Sequence, residues 1–453
     1  LVDVVNVCTG NLDRPGGAMF PRAAAGASNT RGTPRTGRAF QAGRHRSRVR
    51  GLGETMGELP VSCLAEEIDT PGEGRVRALI TIAGNPVLST PNSERLDAAL
   101  ETLECYVAVD IYLNETTRHA HVVLPPPSAL EKDHYDLAFT QLSLRNVANW
   151  SPAVLPRPEG QPDEWEVLAK LALIAQGLGA DADPAVVDDL VVGALVGSAV
   201  ADRSGPLHGR EPAEVLALLG DRRGPARLVD LMLRTGPYGD GFGARVDDVA
   251  PGVPPLSLDL LEARPHGVDL GALEPRLPDV LRTPSGLIEL DAEPLLADLG
   301  RLAATLDRPV PEVVLVGRRH LRSNNSWMHN LEVLVKGRPR CTLHVHPDDA
   351  ARWGLVDGEV ACVTGRVGAL EAVVEVTEGI RAGVVSLPHG WGHDAPGTRM
   401  AVAGRHAGVN ANVVADELVV DELSGNAVLN AIPVTVAPVA AAASVAPPVG
   451  APA

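Results

Sequence analysis

The stretch Val76 to Leu130 decides the fold: VRALITIAGNPVLSTPNSERLDAALETLECYVAVDIYLNETTRHAHVVLPPPSAL. An apolar run, Val76 to Ala83, stops at Gly84-Asn85-Pro86. A helix-period segment from Ser93 to Leu103 follows, and a second apolar run, Tyr106 to Val109, ends on Asp110. The pattern predicts a βαβ unit, whose two strands end side by side at the carboxyl edge of a parallel sheet, where open α/β folds bind ligands. Gly84 and Asn85 lie at one strand end and Asp110 at the other. A glycine lets a ligand approach the backbone, and a carboxylate can accept from a ribose hydroxyl or a guanine N–H. The expectation is a nucleotide-bearing ligand site.

At 453 residues the chain is long enough for two or three domains with their own cores. No run of about 18 apolar residues is free of charge or proline, so no membrane span is expected. The formal net charge of −17 argues against nucleic acid as the partner. One basic island opposes it, with Arg31, Arg35, Arg38, Arg44, Arg46, Arg48 and Arg50 in twenty residues. It reads either as a solvated Gly-rich loop or as an anion-binding surface. The five cysteines (8, 63, 105, 341 and 362) form no CxxC pair, so they supply neither an iron–sulfur cluster nor a structural zinc. Cys8, Cys105 and Cys362 sit in apolar stretches and are expected in the core. An odd number at irregular spacing points to a reducing, cytoplasmic setting.

From Pro311 the period changes from helical to alternating. PEVVLVG, LEVLVK, CTLHVHP, EVACVTG, ALEAVVEV and GVVSLPHG read as short strands, with a helix from Asp348 to Trp353 among them, and together they suggest a closed barrel. The loop after the first of these strands holds Gly317, Arg318, Arg322, Ser323, Asn324 and Asn325. Guanidinium forks suit phosphate, and Asn suits a purine edge; the alternative is a polar loop that only caps the barrel. PHGWGH adds His389, Gly390 and Trp391, with Gly390 expected to permit close backbone approach. His389, His393 and His406 could suggest a metal site, but their loop spacing makes a poor ligand set. His119 and His121 would share one strand face at i and i+2 and could chelate; the alternative is a surface role. GLGETMG (51–57) resembles a phosphate loop but misses the GxGxxG spacing. Between about 180 and 310, Pro- and Gly-punctuated short helices such as Pro212 to Leu219 carry no assignable chemistry. A Pro-containing tail, 439–453, is expected to be disordered.

Several stretches resemble the molybdopterin oxidoreductases, the dimethyl-sulfoxide-reductase-like enzymes. They are GNP with the later Asp and VVLP strand, TGNLDRPGG (Thr9 to Gly17), and RTPSGLIEL (Arg282 to Leu290), which is similar to a family strand. The resemblance implies an α/β fold: a parallel-sheet nucleotide-binding domain followed by a C-terminal double-psi β-barrel domain of the aspartate-decarboxylase-like kind. It divides the chain into the end of one α/β domain (1–58), an α/β domain with a helical insertion (59–310), a dinucleotide-binding barrel (311–438) and the tail. It implies a molybdenum or tungsten bis-molybdopterin guanine dinucleotide cofactor, a small-molecule substrate and an electron-transfer partner subunit.

By the same comparison Gly317-Arg318, the loop at His389 and Asn410 would contact the cofactor, and Lys132-Asp133 would order a loop over it. Asn430 stands where the family often has Lys. The resemblance further implies that a metal-ligating residue and a 4Fe-4S cluster belong to a preceding part that this sequence lacks, leaving the fragment inactive alone. The competing expectation is a non-catalytic structural subunit of a respiratory assembly on the same fold.

Overall fold

A computed structural model describes residues 1–26 and 41–439. Arg31, Arg35, Arg38 and the tail from 440 lie outside the described residues. The chain divides into two compact units, one of residues 1–39 and 126–292, the other of residues 40–125 and 293–453.

In the second unit, β1 (Ala42–Arg46) and β2 (Gly53–Thr55) form an antiparallel hairpin, so the glycine-rich 51–57 stretch is partly strand and not a phosphate loop. The arginines here are paired. Glu54 takes Arg44, Glu67 takes Arg48 and Glu66 takes Arg50, which favours neither a solvated loop nor a free anion surface for these three. The Arg44 guanidinium brings the Glu54 carboxyl down to about 2.

The expected βαβ unit is present. β3 (Ala78–Ile82), β4 (Cys105–Val109) and β5 (Val122–Leu124) make a parallel sheet in that order, with the helix Ser93–Leu100 crossing between β3 and β4. Leu96, Ala99 and Leu100 on that helix pack with Ile68, Tyr106 and Ala108. Ile80 and Ile82 occupy the opposite face and are exposed. His119 lies in a 3-10 turn and not on a strand, where it meets Asp97 at 2.7 Å, while His121 Nδ1 accepts from the Tyr106 N–H. The pair therefore cannot chelate as i and i+2 residues of a strand would.

The first unit holds an antiparallel pair, β6 (Arg145–Ala148) and β7 (Val268–Ala272), and helices that include Glu164–Ala175 and Pro212–Leu218. The helix Glu164–Ala175 starts on a capping box between Asp163 and Glu166. Its buried residues are Val167, Ala169 and Leu173, while Ile174 is exposed. In the TGNLDRPGG turn, Asp13 Oδ2 accepts from the N–H groups of Arg276 and Leu277, and a Cβ on Gly17 would lie 2.0 Å from the Asn11 carbonyl. The TPSGLIEL stretch is an exposed turn, with Thr283 Oγ1 donating to the Leu287 carbonyl, and not a strand. Lys132 pairs with Glu164 and Asp133 accepts from the Ala153 N–H, which makes them braces of this unit.

The second unit continues with a seven-stranded mixed sheet made of β8 (Val314–Arg318), β9 (Leu343–Val345), β10 (Val360–Thr364), β11 (Ala369–Val376), β12 (Val384–Pro388), β13 (Asn430–Pro433) and β14 (Thr435–Pro438). Its order is β13-β8-β12-β9-β11-β10-β14. The sheet curls round one core. Alternate residues Leu370, Ala372 and Val374 of β11 point inward beside Ala361, Val363, Leu343, Leu315 and Leu387. LEVLVK is not a strand: Glu332–Val335 is a helical turn in which only Val335 is buried. Four apolar residues in six allow either period, and exposure of Leu331 and Val333 removes the reason for a strand.

The cysteines also differ from expectation. Cys8 and Cys105 are exposed and Cys362 is half-buried, whereas Cys63 is buried. Cys8 closes a helix with no buried residue, and Cys105 opens β4 before it enters the core. All five are free thiols, and burial pushes that of Cys341 up to about 11.

Candidate functional site

β8 and β12 are parallel neighbours, with Gly317 opposite Leu387 and Arg318 opposite Pro388. Their following loops therefore leave the same sheet edge. Gly390 holds those loops together. Its φ is +85°, and a Cβ there would lie 2.3 Å from the Asn325 carbonyl oxygen. The packing of one loop on the other therefore requires a glycine here. Asn324 and Asn325, at φ 42° and 60°, turn the first loop through the left-handed region that asparagine tolerates.

A cleft of about 400 Å³ opens here, lined by Arg319, His320, Leu321, Ser323, Asn324, Asn325, Met328 and His389. A smaller one of about 130 Å³ shares Arg319 and His389 and adds Gly317, Asn412 and Asn430. Four arginines surround this edge without a carboxylate partner among the described residues. Arg318 donates to the carbonyls of Ser386 (2.6 Å) and Thr342 (2.7 Å), Arg319 to Asn325 Oδ1, and Arg340 to the carbonyls of Leu334 and Val335, while Arg322 is exposed. Burial, with Arg340, Arg322 and Arg318 nearby, holds His320 below its usual range. Burial and Arg319 do the same to His389. Both rings are thus neutral near pH 7, and the fixed charge of the edge is the guanidinium charge.

Not every expected residue faces the cleft. Arg318 is half-buried and its guanidinium braces β8 to the backbone of β12 and of residues 340–342, so both of its terminal nitrogens are engaged within the protein. Asn410 is also occupied, donating to the Val87 carbonyl and accepting from the Asn412 N–H. Asn430 accepts from the Gly317 N–H at 3.0 Å, a contact that a lysine could not make. Asp110 accepts from the Tyr112 N–H and from Asn114 Nδ2, and burial raises its carboxyl. Gly84 has open space, its would-be Cβ meeting only Pro86 and Ile82 at 3.8 and 3.9 Å. The buried Trp391 indole N–H has no acceptor among the described residues.

The structure joins Ser323 and His393 to two residues that the sequence did not single out, His329 and Glu115. Ser323 Oγ lies 2.8 Å from His329 Nε2, His329 Nδ1 lies 2.8 Å from His393 Nε2, and His393 Nδ1 lies 3.0 Å from Glu115 Oε1. Asn85 Nδ2 donates to the other Glu115 oxygen, and Thr116 Oγ1 donates to Asn85 Oδ1. Ser323, His329, His393 and Glu115 are each at most 3% exposed. The His329 ring stacks on Trp391, centroids 3.9 Å apart, and burial beside His393 takes it down to about 3. Among the described residues, no group of three His, Cys, Asp or Glu side chains is arranged to hold a metal ion. His393 faces His329 and Glu115 instead of joining His389 and His406.

Two family models match the chain: "Molybdopterin oxidoreductase" over residues 2–173 and "Molydopterin dinucleotide binding domain" over residues 313–433. The assimilatory nitrate reductase catalytic subunit of Bacillus subtilis is 27% identical over 30% of this chain and 19% of its own length. The F420-dependent formate dehydrogenase subunit alpha of Methanocaldococcus jannaschii is 24% identical over 72% of this chain and 40% of its own length. The chain thus spans less than half of either relative. Acetylene hydratase from Pelobacter acetylenicus superposes with a TM-score of 0.49 at 19% identity, over 85% of this chain and 47% of that one. The cleft lies within the dinucleotide-binding match, the βαβ unit within the other, and the chain belongs to the molybdopterin oxidoreductase family.

Proposed function

We propose that the edge formed by the ends of β8 and β12 holds the pyrophosphate and guanine of a molybdopterin guanine dinucleotide, and that the chain is the cofactor-holding portion of a molybdenum or tungsten oxidoreductase with two such dinucleotides. The carrying observation is the group of four arginines without carboxylate partners, on a chain of net charge −17, beside a cleft lined with Asn and His. An anionic ligand completes such a site. Arg319 and Arg322 would meet phosphate oxygens, and Asn324 and Asn325 would pair with a purine edge. The neutral His389 can donate to or accept from a heterocycle. The unpaired Trp391 N–H also fits a group that brings an acceptor. Gly84, with open space above it, and Asp110 would receive the second dinucleotide at the carboxyl edge of the parallel sheet.

When bound, the metal–pterin group supplies two-electron redox chemistry. The residues here bind and orient its arms. A double-psi closure of the curled sheet, a small-molecule substrate, and a partner subunit that exchanges electrons through a 4Fe-4S cluster complete the reading. Relatives that include "subunit alpha" proteins support the partner. A scaffold without cofactor is the second reading, favoured by the engagement of Arg318 and Asn410 within the protein.

Calorimetric titration of the chain with guanosine diphosphate tests the site. Binding that weakens with salt, and falls roughly ten- to a hundredfold in Arg319→Ala, fits the loss of a charge-assisted hydrogen bond of about 1.5–3 kcal/mol. No binding, or equal binding by the variant, overturns the assignment.

A further inference from the structure

We propose that Ser323, His329, His393 and Glu115 form a proton relay that exchanges one proton between the β8–β12 cleft and a buried histidine–carboxylate pair. Ser323 lines the cleft, and three successive contacts of 2.8, 2.8 and 3.0 Å lead inward from it to Glu115. No side chain in the series is bonded only to backbone, and each ring uses both nitrogens within it. A core that needed only packing would not align four titratable or hydroxylic groups end to end in a buried interior, where each polar atom must find a partner.

Proton bookkeeping allows two states. In the first, His393 Nδ1–H donates to the Glu115 carboxylate, His329 Nδ1–H donates to His393 Nε2, and the Ser323 hydroxyl donates to His329 Nε2. Uptake begins with a proton reaching Ser323 Oγ from the cleft. The serine passes its own proton to His329 Nε2, and His329 passes its Nδ1 proton to His393 Nε2. Ser323 is again neutral, His329 is neutral with its proton now on Nε2, and His393 is an imidazolium beside the Glu115 carboxylate. The reverse sequence returns the proton. His329 therefore never carries the charge, in keeping with burial that holds its ring down to about 3.

Asn85 fixes the second Glu115 oxygen and so keeps the carboxylate aimed at His393. Other ionisable groups lie near the series. His320 and His389 face His329 from the two cleft loops, Asp394 beside His393 is exposed, Asp110 is held by Tyr112 and Asn114, and Arg118 is held by Asp97. The relay would serve a ligand that gains or loses an N–H or O–H proton in the cleft, and it does not depend on the cofactor reading.

Nitrogen-15 NMR of the histidine-labelled chain, without added ligand, tests it. As pH falls and His393 charges, the His329 proton is expected to move from Nδ1 to Nε2 with the ring remaining neutral. Ser323→Ala should slow exchange of the His329 ring proton with solvent at least tenfold, and Ser323→Thr, which keeps the hydroxyl, should restore it. The proposal is overturned if the His329 tautomer stays fixed while His393 titrates, if His329 itself charges above pH 5, or if exchange is equally fast in the alanine variant. Retained histidine shifts elsewhere in the spectrum identify a folded variant, and the threonine variant covers an alanine variant that does not fold.

Discussion

Gly390→Ala separates two costs that a glycine can hide. At φ +85° an alanine must enter the left-handed region, at about 1–2 kcal/mol. Its Cβ would also stand 2.3 Å from the Asn325 carbonyl oxygen, so the two cleft loops must part by about 1 Å, and such overpacking costs a further 1–3 kcal/mol, roughly. Gly397 is the control, because its φ is +90° and nothing lies within 4 Å of its would-be Cβ. Urea denaturation should therefore show a loss of about 1–2 kcal/mol for Gly397→Ala and about 2–5 kcal/mol for Gly390→Ala. Guanosine diphosphate affinity should fall about tenfold only in the second, since parting the loops misplaces Arg319 and Asn325 by a distance comparable with a hydrogen bond's tolerance. Equal stability losses in the two variants, or unchanged affinity in Gly390→Ala, would show that the loops do not depend on each other and refute the cleft as described.

Arg318→Ala is expected to lower stability by about 2–4 kcal/mol, because it removes a half-buried guanidinium and leaves the Ser386 and Thr342 carbonyls short of donors. A denaturation midpoint equal to that of the parent would contradict its bracing role. His329 is held low, so the folded protein binds fewer protons than the unfolded chain between about pH 3 and 6.5. Stability should rise with pH across that window and be fully present above it, with a contribution on the order of 3–5 kcal/mol that His329→Gln flattens in pH-dependent denaturation. Asp110 is raised, so its effect has the opposite sign: stability falls as pH climbs above the unfolded carboxyl value, and Asp110→Asn should remove that slope. Leu387→Ala should cost about 2–5 kcal/mol in the same measurement, because its side chain is fully enclosed by the curled sheet.

The βαβ unit was legible because its three signals are local: an apolar run, a Gly-Asn-Pro break and a helix-period segment. Its strands fall within a residue or two of the sequence reading. Five strands of the curled sheet, β8 to β12, were legible for the same reason; β13 and β14 were not read as strands, and LEVLVK failed because its alternation had no buried face behind it. The cleft was half legible. Arg318, Arg319, Arg322, Asn324 and Asn325 fall within one short loop of sequence, but the engagement of Arg318 depends on carbonyls from two other segments. The Ser323–His329–His393–Glu115 series could not be read at all. Glu115 and His393 are 278 positions apart, and a carboxylate in YLNET resembles any turn residue until the structure surrounds it. The basic island misled for a related reason, since its glutamate partners lie up to 19 residues away and no short window contains both.

The interleaving of the two units also constrains the order in which the polypeptide can acquire its shape. Residues 40–125 must await 293–439 while the whole of 126–292 lies between them. Joining ends across so long an intervening segment costs about 4.5 kcal/mol of chain entropy by the logarithmic law, before any strand of the curled sheet is paired. On the ribosome, Glu115 emerges nearly three hundred residues ahead of the histidine it binds. For that interval the carboxylate is committed to a partner not yet synthesised, while the parallel sheet already packs on residues 64–123 of its own segment. Ile80 and Ile82 remain outward-facing even afterwards. Chaperone dependence of this chain should therefore be concentrated in the period between translation of β5 and translation of β12, and a permuted gene that places 293–439 directly before 40–125 would shorten it.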